Sequence, residues 1–254
     1  SFVYMSSSVP HTAGLLLEKI KYIKTVKNTP LVVSVDMNFS DDILHNISII
    51  APFIAGVKIH SDIIKDFGKD FYIPLYEMSK NEQFFIIDDK KYSDIGYIVK
   101  KQCYMYEEYY KKYVHLVTCH AISGSSSLEG LKSFGVPGVL LIARMSTENN
   151  FISEDYTYKV TRLGIENGDI VTGYIGHGYD LKERVVAYGQ LIFTPGVHFS
   201  SQKDSLGQSY ISVEESLREG SDFIIMGRSI FGMNDPLSAC IEVREAYSRI
   251  NRYR

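Results

Sequence analysis

The stretch of this chain best equipped for chemistry is FFIIDDKKYSDIG, Phe84 to Gly96, where an apolar run ends in alternating acids and bases. Read as a strand, its period of two puts Phe85, Ile87, Asp89 and Lys91 on one face and Phe84, Ile86, Asp88 and Lys90 on the other. A carboxylate and an ammonium side by side at Asp89 and Lys91, with a further acid at Asp94, present a fixed electrostatic pattern to a substrate. The same spacing also suits a strand followed by a solvated charged turn, so the pattern needs a scaffold before it means anything. Cys119 beside His120 invites a nucleophile reading, but a small buried side chain is the better fit to its apolar run.

The elements that must position these residues repeat. Short apolar runs ending in polar or charged residues recur at Leu31 to Asp36, GVKIH closing at His60, FFIIDDK at Lys91, HLVTCH at His120, VLLIARMS at Ser146, IVTGYI at Ile175, LIFTPGV at Val197 and FIIMGRS at Ser229. Between them lie stretches of helical spacing at 41–50, 63–81, 95–113, 126–134, 154–164, 181–188 and 213–218, with an opening helix over 12–27 and a closing one over 236–250. Strands alternating with helices imply a parallel sheet. Eight such repeats predict a (β/α)₈ TIM barrel as one domain over 1–254, with 1–14 as an N-terminal extension. A doubly wound open sheet is the other arrangement, weakened by the lack of GxGxxG after the first strand.

In a barrel the helix-facing positions must be apolar, and the carboxyl ends of the strands collect the chemistry. Val57 and Ile59 then face the helices, which turns Lys58 and His60 inward. Neighbouring strands lie about 4.8 Å apart, so Lys58 is expected beside Asp89 and Lys91 in an array of base, acid, base. Each buried charge would have an opposite neighbour, whether the array serves catalysis or is a structural ion-pair network. The last two strand ends, TPGV at Thr194 to Val197 and MGRS at Met226 to Ser229, are where barrels tend to hold phosphate. Gly196 and Gly227 allow backbone amides to approach an anion, and Arg228 offers a planar fork of donors. The polar stretch from His198 to Tyr210 between them is expected to be a lid or a surface loop.

Composition bounds the rest. The 254 residues are 45% apolar, and 27 basic against 30 acidic residues leave a formal charge of −3. That balance, without a basic run, argues against a nucleic-acid partner. Nowhere do about 18 apolar residues run together, and the opening SFVYMSSSVPH has neither the basic start nor the apolar segment of a secretion signal. A soluble, cytoplasmic protein with no membrane partner is expected. Three widely spaced cysteines imply neither a disulfide framework nor a zinc site.

Together these motifs resemble the orotidine 5′-monophosphate decarboxylases, including the form that makes up the second half of UMP synthase in animals. The landmarks stand in family order from about Leu15 onward: SVD ending at Asp36, VKIHSDI, DDKKYSDIG, LIARMS, TPGV, SLGQSY and MGRSIF. The resemblance implies that Lys91 protonates C6 of the pyrimidine as carbon dioxide leaves, that Asp89 lies against the substrate carboxylate, and that Lys58 links the array to the ribose. Asp94 would reach the neighbouring subunit's site, so a homodimer is implied. Asp36 would bind ribose hydroxyls and Ser146 the amide edge of the ring. Gln208, Tyr210 and Arg228 would hold the phosphate, with Pro195 and Gly227 alongside. His60 would support Lys58 and Asp36. Orotidine 5′-monophosphate and UMP are the implied ligands, with no cofactor and no metal. A catalytically impaired relative acting as a nucleotide-binding or scaffolding dimer is the alternative of different class, and a metal-dependent sugar-phosphate lyase of related fold is a third.

The chain also departs from that family. Tyr97 and Ile98 stand where Asn-Thr usually follows DIG, and an Ile cannot make the ribose hydrogen bond of that Thr, a loss of about 1 kcal/mol. Arg144 replaces the usual acid before MS. Thr118, Cys119 and His120 replace Asn-Ala-His, and Lys90 stands where Arg is usual.

Overall fold

The computed structural model describes residues 11–199 and 209–252. Eight parallel strands close into a barrel, and they are the eight apolar runs in chain order. They are β1 (Leu31–Ser34), β2 (Gly56–Ile59), β3 (Phe85–Tyr92), β4 (Leu116–Cys119), β5 (Val139–Ile142), β6 (Val171–Ile175), β7 (Leu191–Thr194) and, after a short β8 (Val197–His198) and β9 (Ile211–Ser212) that pair with each other, β10 (Phe223–Met226). The barrel closes where β1 pairs with β10, Val32 opposite Ile225.

Outside run α1 (His11–Lys27), α2 (Ser40–Ile50), α3 (Lys69–Glu82), α4 (Gly96–Tyr104), α5 (Glu107–Lys112) and α6 (Ser126–Phe134). They are followed by α7 (Glu154–Glu166), α8 (Tyr179–Val186), α9 (Val213–Arg218), the single turn α10 (Arg228–Phe231) and α11 (Pro236–Asn251). Helix α1 already begins at His11, inside the stretch expected as an extension. Among the described residues no helix is long and apolar enough to cross a membrane.

The period of two along the strands divides the core. One set of side chains, among them Val33, Val57, Ile59, Ile86, Val117 and Leu141, packs against the helices. The other, among them Val32, Phe85, Ile87, Leu140, Phe193, Phe223 and Ile225, fills the barrel. Phe193 and Phe223 stack at 4.8 Å, and Phe85 meets Phe223 edge-on at 5.2 Å. Gly56 leaves the room this needs, because a Cβ there would come within 2.5 Å of the Phe85 ring. Ile20 and Ile23 of α1 join the same interior cluster. The amino end of the barrel is thereby filled with hydrocarbon, and polar groups are left for the carboxyl end.

Two expected helices come out differently. The one placed over 63–81 starts only at Lys69, because 61–68 is a loop held to the start of α2, where the Ser40 amide donates to Asp66 at 2.9 Å and the Lys65 amide to the Asn38 carbonyl at 2.9 Å. The one placed over 95–113 breaks into α4 and α5 at Tyr106, whose backbone leaves the helical region while its ring packs on Phe67 at 5.6 Å.

Candidate active site

Lys58 and Asp89 point into the barrel mouth from neighbouring strands, Asp89 one step above Ile87, which is Lys58's partner across the β2–β3 register. Both are nearly buried. Asp89 Oδ2 accepts from Lys58 Nζ at 2.8 Å and from Lys91 Nζ at 2.7 Å. The base, acid, base array expected from the alternation is thus present. Burial alone would push the Asp89 carboxyl up, but the two ammoniums overcome that and hold it well below the usual carboxylate range.

The alternation itself does not run as far as Lys91. Between the pairs Asp88–Val117 and Tyr92–Cys119, three β3 residues, Asp89, Lys90 and Lys91, face the single β4 residue Thr118. Lys91 takes up this bulge with φ at +51°, a left-handed backbone. Lys90 turns outward as expected, its ammonium 4.2 Å from the centre of the Tyr106 ring and 3.6 Å from Asp62.

His60 supports the array from beside it. Its Nδ1 lies 2.8 Å from the Asp89 carbonyl, which can only accept, so Nδ1 carries the proton and Nε2 accepts from Lys58 Nζ at 3.2 Å. Burial first, then the Lys58 charge, lower its pKa, consistent with this neutral tautomer. Its Nε2 is 3.7 Å from Asp36, a contact without a hydrogen bond. Asp36 itself is half exposed and accepts from Ser34 Oγ at 2.9 Å.

A cleft continues from Lys58 and Asp36 to the far rim, lined there by Pro195, Gly196, Val197, Tyr210, Gly227, Arg228 and Ser229. Gly196 has φ at +64°, and at Gly227 a Cβ would stand 3.2 Å from Ser34. Both glycines therefore serve backbone shape at the cleft wall. The Arg228 guanidinium donates to the Tyr210 hydroxyl and lies 5.7 Å from its ring centre. The stretch leading to Tyr210 is closed at its base, where β8 pairs with β9 and the Ser209 amide donates to the Ser146 carbonyl at 2.9 Å. Gln208 and most of the expected lid lie outside the described residues.

Other expected residues sit apart from the array. Asp94 is exposed on the loop after β3, its Oδ1 accepting from the next amide, that of Ile95, at 2.7 Å. Around it are Ile95, Tyr97, Met105 and Ile122, each more than half exposed. Arg144 turns away from the mouth. It bonds Glu154 at 2.8 Å, Asp180 at 2.7 Å and the His177 carbonyl at 2.7 Å, pinning the starts of α7 and α8. Cys119 is buried, and burial pushes its thiol up to about 12, which removes the nucleophile reading. Thr118 is the residue that the spacing alone did not single out for the array. Its hydroxyl donates to Asp89 Oδ1 at 2.7 Å, and it stands 29 residues away in the chain.

The sequence model of the orotidine 5′-phosphate decarboxylase / HUMPS family matches residues 29–243. The chain is 33% identical to the orotidine 5′-phosphate decarboxylase of Pachysolen tannophilus, over 83% of this chain and 81% of that protein. It is also 33% identical to that of Torulaspora delbrueckii, over 90% of this chain and 88% of that protein. Among solved structures, the orotidine 5′-phosphate decarboxylase of Pyrococcus horikoshii OT3 superposes with a TM-score of 0.67 at 18% identity, covering 86% of this chain and 99% of that one. The Methanocaldococcus jannaschii enzyme, complexed with the inhibitor BMP, gives the same TM-score. At that identity the structural matches speak for the barrel fold.

Proposed function

Because the chain belongs to the orotidine 5′-phosphate decarboxylase / HUMPS family, we propose that it decarboxylates orotidine 5′-monophosphate to UMP in pyrimidine biosynthesis, with Lys91 as the proton donor. The observation that carries this reading is the Asp89 carboxylate accepting from Lys58 and Lys91 together at the barrel mouth, at the end of a cleft that leads to Arg228.

Breaking the bond between C6 and its carboxylate leaves an electron pair in an in-plane orbital that the pyrimidine ring delocalises poorly. An ammonium already aimed at that carbon stabilises the charge as it develops. Lys91 then gives C6 its proton and recovers one from solvent, while carbon dioxide departs. Asp89, beside the substrate carboxylate, holds the Lys91 ammonium in place at 2.7 Å and adds repulsion that is relieved on release. Lys58, steadied by His60, reaches the ribose, and Asp36 takes its hydroxyls. Ser146 reads the amide edge of the ring. Arg228, Tyr210 and Gln208 hold the phosphate, with Pro195 and Gly227 shaping the wall, so that binding energy far from C6 closes the site and excludes water.

The protein works as a single barrel domain in the cytoplasm, without a nucleic-acid or membrane partner, and as a homodimer in which Asp94 of the partner subunit completes each site. The apolar side chains exposed around Asp94 support that assembly.

Purified protein should consume orotidine 5′-monophosphate, followed by its ultraviolet absorbance, and Lys91→Ala should lose that activity while still binding UMP. Wild type and variant equally inert, with UMP bound by both, would remove the catalytic reading.

A further inference from the structure

The β3 bulge leaves a backbone donor in need of a partner. Three residues of β3 face only Thr118 on β4, so the Lys91 amide has lost its place in the ladder. It donates instead to Thr118 Oγ1 at 2.9 Å. The same hydroxyl donates to Asp89 Oδ1 at 2.7 Å. A hydroxyl has one proton, and with the Lys91 amide already occupying a lone pair, that proton goes to the carboxylate.

We infer that Thr118 is a positioning residue for proton transfer, its single hydroxyl fixing both the rotation of the Asp89 carboxylate and the left-handed backbone of Lys91. The inference rests on the decarboxylase reading above. With Oδ1 held by Thr118, Oδ2 is the oxygen turned toward the ammoniums of Lys58 and Lys91 at 2.8 Å and 2.7 Å. The backbone of Lys91 has φ at +51°, a region that L side chains avoid unless their surroundings enforce it. Thr118 is fully buried on β4 and lies apart from the residues lining the cleft toward Arg228. It acts through Asp89 and Lys91 and is not itself catalytic.

Thr118→Ser keeps the hydroxyl, and Thr118→Ala differs from that variant by the oxygen alone. Thr118→Val keeps the volume and the branching of Thr without the donor. A displacement of the reacting groups by an ångström is worth about 100-fold in rate. Thr118→Ala and Thr118→Val should therefore lose about 10- to 100-fold in kcat, with KM changed by about twofold or less, and Thr118→Ser should stay within about threefold of wild type. Crystal structures of the Ser and Ala variants read the same device without turnover. Lys91 should remain left-handed in the first and leave that region, or lose its contact to Asp89, in the second. Equal kcat for the Ser and Ala variants, or an Ala variant with Lys91 and Asp89 unmoved, would overturn the inference. Because the Ser and Ala pair suffices, a Val variant that fails to fold leaves the decision intact. A wild-type protein that binds UMP without consuming substrate would sink the decarboxylase reading, while the two structures still decide whether Thr118 positions Lys91.

Discussion

Asp88 and Asp89 are neighbours on one strand and live in opposite environments. Asp89 faces the barrel mouth and two ammoniums. Asp88 faces the helices, where it accepts from the Ser61 amide at 3.1 Å, the Ser61 hydroxyl at 2.8 Å and the Tyr110 hydroxyl at 2.9 Å. Complete burial outweighs those bonds and pushes its carboxyl up to about 6, from an ordinary 3.8. A raised carboxyl favours the protonated fold. Below about pH 4 both folded and unfolded chains hold the proton and no penalty arises. Between about pH 4 and 6 the unfolded chain ionises while the fold resists, and above 6 the full cost is present, about 3 kcal/mol. Asp88→Asn removes that cost. Its Tm relative to wild type should therefore rise as pH is raised from about 4 to 6, and a difference that stays level over that window would show that Asp88 ionises freely in the fold.

At the scale of elements, the departures from regularity carry the function. The β3 bulge sets Lys91 over Asp89 and sends Lys90 outward. Helix boundaries were legible where a cap is written in the chain. Asp235 before Pro236 caps α11 by accepting from the Leu237 and Ser238 amides, and Ser212 with Glu215 forms a capping box at α9. The break between α4 and α5 carried no such signal, since it follows from Tyr106 packing on Phe67, a contact between distant segments. Arg144, conspicuous in the sequence for standing where the family has an acid, is a strut between α7 and α8. Its acid partners are half exposed or more, so the network is worth about 1 kcal/mol after screening. Arg144→Met should lower Tm by about 2–4 °C and leave kcat unchanged. A large fall in kcat with Tm preserved would place Arg144 in the chemistry instead.

For the whole molecule, the barrel sorts one period of two into two cores and concentrates charge at a single rim. α1 belongs to that arrangement, since Ile20 and Ile23 belong to the hydrocarbon layer beneath the site. Asp94 stands outside the array of its own chain, on a face with exposed Ile95, Tyr97 and Met105. If a homodimer completes each site, Lys91→Ala and Asp94→Ala proteins, each inactive alone, should regain activity when mixed. After full subunit exchange at equal amounts, half the dimers are mixed and each has one intact site, so about a quarter of wild-type activity should return. No recovery, with exchange verified by mass, would show that Asp94 serves its own chain or none.

The sequence by itself determined the eight strands, their order and the inward direction of Lys58, His60 and Asp89, because hydrophobic alternation is a local property and a closed parallel barrel leaves it one solution. The family was equally readable in short motifs such as DDKKYSDIG. The tertiary structure alone decided which group meets which: Thr118 on Asp89 and the Lys91 amide, His60 as a neutral acceptor for Lys58, Arg144 bound to Glu154 and Asp180, and Cys119 buried. Those partners lie on different elements. A bulge that sets three residues against one shifts the register between strands, and no periodicity within a single segment records such a shift.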